Sequence, residues 1–426
     1  MKRWLSIVTI ALAFLASFQQ SNGQKKVVGY YPSWSKSSYP CTAIQYQHLT
    51  HIAHAFIFPY ANGSIDYSPF TTYPELITTA HQHGVKVVIS AGGWDDVRTP
   101  NFAAMAADTA ARRKFVDNLL QFMITNGYDG VDLDWEYPKT AADRSNLASL
   151  VHQLRIAFDA TGRQLSISMA APSTSWSGQW FNLESMKADF DWIGIMTYDY
   201  YGAWTTKAGP NAALYGSSAT NTEGWIDYSY SYYNSTRGVP KEKLLIGVPF
   251  YGQAFNASAL YGASTGASQQ TYTAIAPKVG SGWTRSWDAV GLVPYLINTA
   301  GTQLISYDDT QSVALKCSYV NTKGAGGVII WALGQDQLQG NVPLLVTVGS
   351  YLHTTAVDKT FPESGVPFAC ALHQNYPNPF NGSSIIRFTV TRKEGISLKL
   401  FDCLGRCVAV LADGEHAPGS YEIDVM

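Results

Sequence analysis

Charge is scarce in this sequence. Charged residues make up 14% of its 426 positions, and 29 Lys+Arg against 31 Asp+Glu leave a formal net charge of −2, where about a quarter charged is ordinary for a globular protein. A balance near zero without a basic run excludes the electrostatic footprint that nucleic acid or an anionic membrane surface requires. Cysteine is sparse as well. Cys41, Cys317, Cys370, Cys403 and Cys407 form an odd, scattered set without a Cys-x-x-Cys pair of zinc spacing, so no metal site is signalled, and a core of this size does not depend on disulfides. Gly-x-Gly-x-x-Gly and phosphate-loop patterns are missing where a nucleotide fold needs them, and no cofactor is expected. Long apolar runs are confined to the N-terminus, where Lys2 and Arg3 precede Trp4–Phe18 and the small-residue triplet Ser21-Asn22-Gly23 follows. That run falls short of the ~20 residues that span a bilayer, so residues 1–23 read as a removed secretory signal. The mature chain is then expected outside the cell or on its surface, with no membrane span.

What fills the gap left by charge is Tyr (26), Trp (12), Gly (36) and uncharged polar side chains. Such a composition suits a neutral, ring-shaped polar ligand such as a sugar, and equally suits any exported protein that makes few ion pairs. From residue 24 to 354 apolar β-branched runs alternate with amphipathic stretches, the pattern of βα units around a parallel sheet. Strand signals fall at 26–34, 49–60, 85–94, 128–138, 163–172, 190–202, 243–252 and 325–336, with helical patterns such as 101–126, 144–160 and 342–353 between and after them. Eight such units match a TIM (β/α)8 barrel better than an open doubly wound sheet. One connection is too long: residues 253–304, rich in Ser, Gly, Ala, Thr and aromatics, leave the top of the seventh strand without a helical period. A stretch of this kind is usually a functional insertion, here placed to wall a cleft. Residues 355–370 read as a linker, and 371–426 as a small all-β, Ig-like module with turn signals at Asn381-Gly382, Leu404-Gly405 and Pro418-Gly419.

The chemistry concentrates in the fourth strand signal, DGVDLDWEYP. Asp132, Asp134 and Glu136 fall at i, i+2 and i+4, which puts three carboxylates on one face of a strand, while Val131, Leu133 and Trp135 point to the other. Burying three acids together requires that at least one hold its proton well above its ordinary pKa. A protonated Glu at the outer end, nearest solvent, is what a general acid needs. The competing readings are a solvated acidic strand and a calcium loop. The Val-Leu-Trp face argues against the first, and Tyr137, standing where a calcium loop needs Gly, against the second.

The same segment resembles the D-x-x-D-x-D-x-E signature of glycoside hydrolase family 18, the chitinases. The supporting motifs GYYPSW, AHAF, SAGGW, MTYDYYG, GVPFYG and the Trp of VIIWALG follow in order over residues 26–336. The resemblance implies that Glu136 protonates the glycosidic oxygen and that the substrate's own 2-acetamido oxygen, rather than a second carboxylate, attacks the sugar. It further implies that Asp134 holds the acetamido N–H and shares a proton with Asp132, that Tyr198 bonds the acetamido oxygen, that Asp199 positions the same region, and that Trp331 floors the site. Tyr30, Phe56, Gly92, Gly93, Trp94, Tyr137, Met196 and Tyr251 sit at strand ends where that family lines its groove; barrel packing is the plain alternative for each, and a tight turn for the two glycines. Asp129, out of phase with the triad, reads as a brace at the strand's start. His48, His51 and His54 look like a cluster, but on a strand the middle ring faces away from the others. Gln253 departs from the family pattern, where many relatives carry Arg.

The expected activity is hydrolysis of β-1,4 bonds in chitin or chitooligosaccharides by a monomer. An endo-β-N-acetylglucosaminidase acting on glycans is the alternative enzyme, and a chitin-binding lectin the alternative from another class, which the presence of Glu136 opposes. The insertion, with Tyr261, Tyr272, Trp283 and Trp287, is shorter than the α+β domain of many relatives, which implies a shallower groove and endo action. The C-terminal NYPNPFNGSSIIRFTV, LKLFDCLGRCVAVL and APGSYEIDV resemble a type A sorting domain of the type IX secretion machinery of Bacteroidetes-like bacteria, in a form that looks truncated. An accessory chitin-binding sandwich is the alternative there.

Overall fold

Eight strands pair in parallel and close on themselves: Lys26–Pro32, His51–Pro59, Lys86–Gly92, Gly130–Asp134, Ser166–Pro172, Trp192–Met196, Leu244–Pro249 and Gly327–Trp331. Closure comes from the first strand, which pairs Lys26 with Gly327 of the eighth and Val28 with His51 of the second. This computed structural model describes residues 24–216, 224–353, 371–372, 384–390, 393–401, 406–417 and 419–425. The fold is the expected TIM barrel. The secretory signal, the linker and the Asn381-Gly382 turn lie outside the described residues.

Strands buried on both faces need apolar residues on both, and two cores result. Val131, Leu133, Ile193, Ile246 and Val328 point outward into the layer shared with the helices. Val28, Ala53, Val88, Ala170, Leu245 and Ile329 fill the barrel interior around Trp192, which is 1% exposed. The helices start at polar caps. Thr140 and Asp143 form a capping box ahead of Ala141–Asp159, and the Asp108 carboxylate accepts the Ala111 N–H ahead of Thr109–Asn126, which ends on Gly127 at φ +80°. The single helical pattern read over 101–126 is in fact two helices, Pro100–Ala107 and Thr109–Asn126. Asp108 lies extended between them, because its side chain serves better as a cap than as a helix member. The strands are also shorter at their C-terminal ends than the apolar runs suggested. The fourth stops at Asp134 and the sixth at Met196, since Trp135, Tyr200 and Tyr201 are buried as loop residues at the barrel mouth.

The insertion after the seventh strand is an ordered antiparallel sheet of five strands. In spatial order these are Ala267–Thr271, Tyr251–Phe255, Leu304–Ser306, Val293–Asn298 and Trp283–Asp288, with the short helix Tyr272–Ile275. It therefore begins at Tyr251, two residues earlier than expected. Contacts divide the chain between His353 and Thr354. The described part of the second unit contains a three-stranded sheet, Ala371–Leu372, Ser384–Val390 and Gly419–Val425, and a two-stranded one, Glu394–Phe401 with Cys407–His416. Ser384, Phe388 and Val390 are buried on one face of the former.

Candidate active site

The C-terminal mouth of the barrel collects the acids. Asp132 sits in register with Ser90 of the third strand and Ser168 of the fifth, so three inward side chains form one polar layer. Ser168 donates to Oδ1 of Asp132 at 2.6 Å, and Ser90 and Tyr30 donate to Oδ2 at 3.0 and 2.7 Å. Burial pushes the Asp132 carboxyl above its ordinary value, and the three hydroxyls oppose that by favouring the anion. Both Asp132 oxygens thus carry hydroxyl donors, and Asp132 adds to the rise of the Asp134 carboxyl beside it. Asp134 is the starved member of the set. It is 3% exposed, its Oδ1 has no hydrogen-bond partner, and burial, then Glu136, then Asp132 hold its proton well above the usual carboxylate range.

Glu136 lies two residues past the end of the regular strand, half-buried at the mouth. Burial raises its carboxyl to about 7, with Asp199 adding to the rise and Tyr137 opposing it. Tyr198, 8% exposed, feels Asp134, Asp199 and Glu136 together and packs edge-on against Tyr251 at 6.0 Å. Asp199 holds a left-handed backbone at φ 57°. Phe56 and Trp331 stack at 5.7 Å and 13°, with Tyr30 tilted against the same indole at 5.7 Å. Met196 and Tyr251 complete this inner cluster. Non-proline cis peptides lie at Ala55–Phe56 within the second barrel strand, at Glu136–Tyr137 just past the fourth, and at Trp331–Ala332 at the end of the eighth.

The two glycines make a tight turn in close approach to the acid-bearing strand. At Gly92 (φ +123°) a Cβ would stand 2.0 Å from the Asp134 carbonyl oxygen, and at Gly93 (φ +94°) 2.8 Å from the Phe56 ring. The Gly93 N–H then donates to the Asp134 carbonyl at 2.7 Å. Trp94 stands apart from the packed set, 68% exposed, as do Trp34 at 60% and Trp204 at 62%. Asp129 braces the strand's start, accepting from the Val87 N–H at 2.7 Å and meeting His81 Nε2 at 2.8 Å. The histidines do not converge. His51 lies against Trp192 inside the barrel, His54 bonds Tyr128 on the outer side, and His48 packs against Gly349. Among the described residues no group of three or more His, Cys, Asp or Glu is placed to hold a metal ion. Cys41 and Cys317 are buried free thiols.

Sequence reasoning missed Asn211, Ser90 and Ser168. The serines carry a readable signal only once strand register is known. Asn211 carries none: it comes from a loop, yet it is fully buried and bonds Asp199, Tyr251 and Ser306.

A closed parallel barrel with a layered carboxylate centre and an aromatic floor at its C-terminal mouth defines a TIM-barrel enzyme site. The chain belongs to the glycosyl hydrolases family 18, whose model matches residues 26–336. It is 36% identical over 277 residues to a probable endochitinase of Caenorhabditis elegans, covering 59% of this chain and 44% of that protein. It is 28% identical over 419 residues to chitinase A1 of Niallia circulans, covering 78% and 60%. The chain thus spans about half the length of these two relatives. A crystal structure of a class V chitinase mutant from Nicotiana tobaccum in complex with NAG4 superposes with TM-score 0.69 at 26% identity, over 78% of this chain and 99% of that one.

Proposed function

We propose that the chain is an endo-acting chitinase that hydrolyses β-1,4 bonds between N-acetylglucosamine units with retention, through the substrate's own acetamido group. The observation that carries this is the buried Asp134, two residues before Glu136 on the inner side of the strand, whose Oδ1 lacks any partner, with burial raising the Glu136 carboxyl to about 7. Glu136 gives its proton to the glycosidic oxygen as the C1–O bond breaks. The acetamido oxygen closes on C1 to form an oxazolinium ion, whose N–H is taken by Asp134 Oδ1 and whose oxygen accepts from Tyr198. The Phe56–Trp331 stack supports the apolar face of the distorted ring. Water then opens the ring at C1 from the same face as the departed group, returning its proton to Glu136.

The similarity to chitinases, one of them solved with NAG4, supports this substrate. An endo-β-N-acetylglucosaminidase would use the same carboxylates on an N-glycan. Product analysis separates the two. Chitin oligomers of defined length should be cut internally with the β-anomer formed first, whereas release of whole glycans from a high-mannose glycoprotein with chitin oligomers left intact would transfer the assignment. An α-anomer as first product would refute the acetamido mechanism. Secretion through the N-terminal signal and type IX sorting by residues 371–426 are part of the same proposal, on the motifs that carry them. Retention inside the cell of the producing bacterium would contradict both.

A further inference from the structure

Asp199, the carboxylate from the end of the sixth strand whose charge bears on Glu136, is held by uncharged groups. Asp199 Oδ1 accepts from Gln253 Nε2 at 2.8 Å, and the Tyr251 hydroxyl bonds the same carboxyl. Its backbone N–H donates to Asn211 Oδ1 at 3.1 Å, which fixes the left-handed turn at Asp199. Asn211 is itself tied into the insertion: its Nδ2 donates to the Tyr251 carbonyl at 3.2 Å and its N–H to Ser306 Oγ at 2.8 Å. Ser306 in turn is the cross-strand partner of Gln253. Gln253 and Asn211 are 2% and 0% exposed, so the geometry of this link is not a surface accident.

We propose that Gln253 and Asn211 are positioning residues that hold Asp199 beside Glu136 with neutral donors alone, so that the Asp199 charge reaches the acid without a cation to cancel it. Burial works against an ionised Asp199, and the bonds from Tyr251 and Gln253 work for it. Burial leaves the Asp199 carboxyl above its ordinary value despite those bonds, and when ionised Asp199 adds to the burial that raises Glu136. The titratable groups facing Glu136 are Asp134 from its own strand, Tyr137 beside it, Tyr198 and Asp199 from the end of the sixth strand, and Tyr251 from the insertion. No Lys, Arg or His contributes to the shift of either carboxyl.

The inference rests on the chitinase reading only for its kinetic readout. Gln253→Arg places a cation on Asp199, and the alkaline limb of kcat/KM on chitin oligomers should move down by about one pH unit, a roughly tenfold fall at pH 8 with little change at pH 5. Gln253→Leu, close in size but no donor, lets Asp199 take up a proton and should move the limb the same way. Asn211→Ala should lower kcat more than it changes KM. The Glu136 carboxyl resonance in 13C-labelled protein, assigned by its loss in Glu136→Gln, should titrate lower in both Gln253 variants whether or not the enzyme cuts chitin. A shift in that resonance without chitin cleavage would uphold the inference and reject the substrate. Limbs and resonance unmoved in both variants would overturn it, as would a loss of thermal stability with the pH profile intact.

Discussion

In the proposed mechanism Glu136 is the residue at which burial becomes chemistry. A carboxyl raised to about 7 is mostly protonated at pH 6 and mostly ionised at pH 8, so turnover that needs the acid should fall as pH rises through 7. Glu136→Gln should lose roughly 10³-fold in kcat while still binding chitin oligomers, because only proton transfer is removed. Near-normal turnover in that variant would remove Glu136 from the acid role. The same shift fixes a sign for stability. A carboxyl whose folded value lies above its unfolded one favours folding while both states are protonated, and that advantage is lost as pH climbs from about 4.5 through 7. Calorimetry should therefore show Glu136→Gln gaining thermal stability over the native protein at pH 8 and not at pH 4. Gly92→Ala should fail in another way. Its Cβ would stand 2.0 Å from backbone at a φ that side chains avoid, costing on the order of 2 kcal/mol or more and displacing the Asp134 carbonyl. The triad was legible because period two works even where the strand is nearly over. Glu136 lies past the last ladder pair, and the alternation still carried it to the inner side. Asn211 was illegible because a buried loop amide has no periodicity to betray it.

At the scale of elements, the insertion is fastened to the barrel through a helix cap. Asp309 caps Thr310–Lys323, its Oδ1 accepting the Gln311 and Ser312 N–H groups at 3.0 and 3.1 Å. Its Oδ2 takes a two-pronged contact from Arg285 of the insertion at 2.9 and 2.7 Å. Asp309→Ala removes both, and should cost about 1–2 kcal/mol in urea denaturation, whereas Arg285→Ala, which spares the cap, should cost less. Equal losses would mean that the ion pair, not the cap, carries the effect. The insertion was legible as a segment but not as a sheet. Its edge strand Ala267–Thr271 is Ala-Ser-Gln-Gln-Thr, with exposed or half-exposed side chains. It is held by main-chain pairing to Tyr251–Phe255, with no apolar alternation for a sequence reader to find. The mouth loops misled in the opposite direction, because their buried aromatics extended the apparent strands.

For the whole molecule, the question is what the barrel needs from the residues after it. Closure is complete between Lys26 and Trp331, and the last helix of the first unit, Pro343–Leu352, is capped by Asp336, whose Oδ2 accepts the Leu344 and Leu345 N–H groups. Every described strand from Ala371 onward pairs within the second unit. The acids, the Phe56–Trp331 floor and the Asn211 link all lie before His353, in the first unit. Among its described residues the second unit has a thinner core: Phe388 and Val390 are buried, but Val408 and Val410 are 57% and 56% exposed on a two-stranded ladder, and a pair of strands is marginal alone in water. Two stabilities in one chain are therefore expected. Limited proteolysis should cut first within 355–370 and leave a core of about residues 24–354, with kcat/KM on soluble chitin oligomers unchanged. A full-length chain that resists protease and melts in one transition at the barrel's temperature would show instead that the C-terminal unit shares the barrel's cooperativity. Loss of activity on cleavage would make that unit part of the working enzyme.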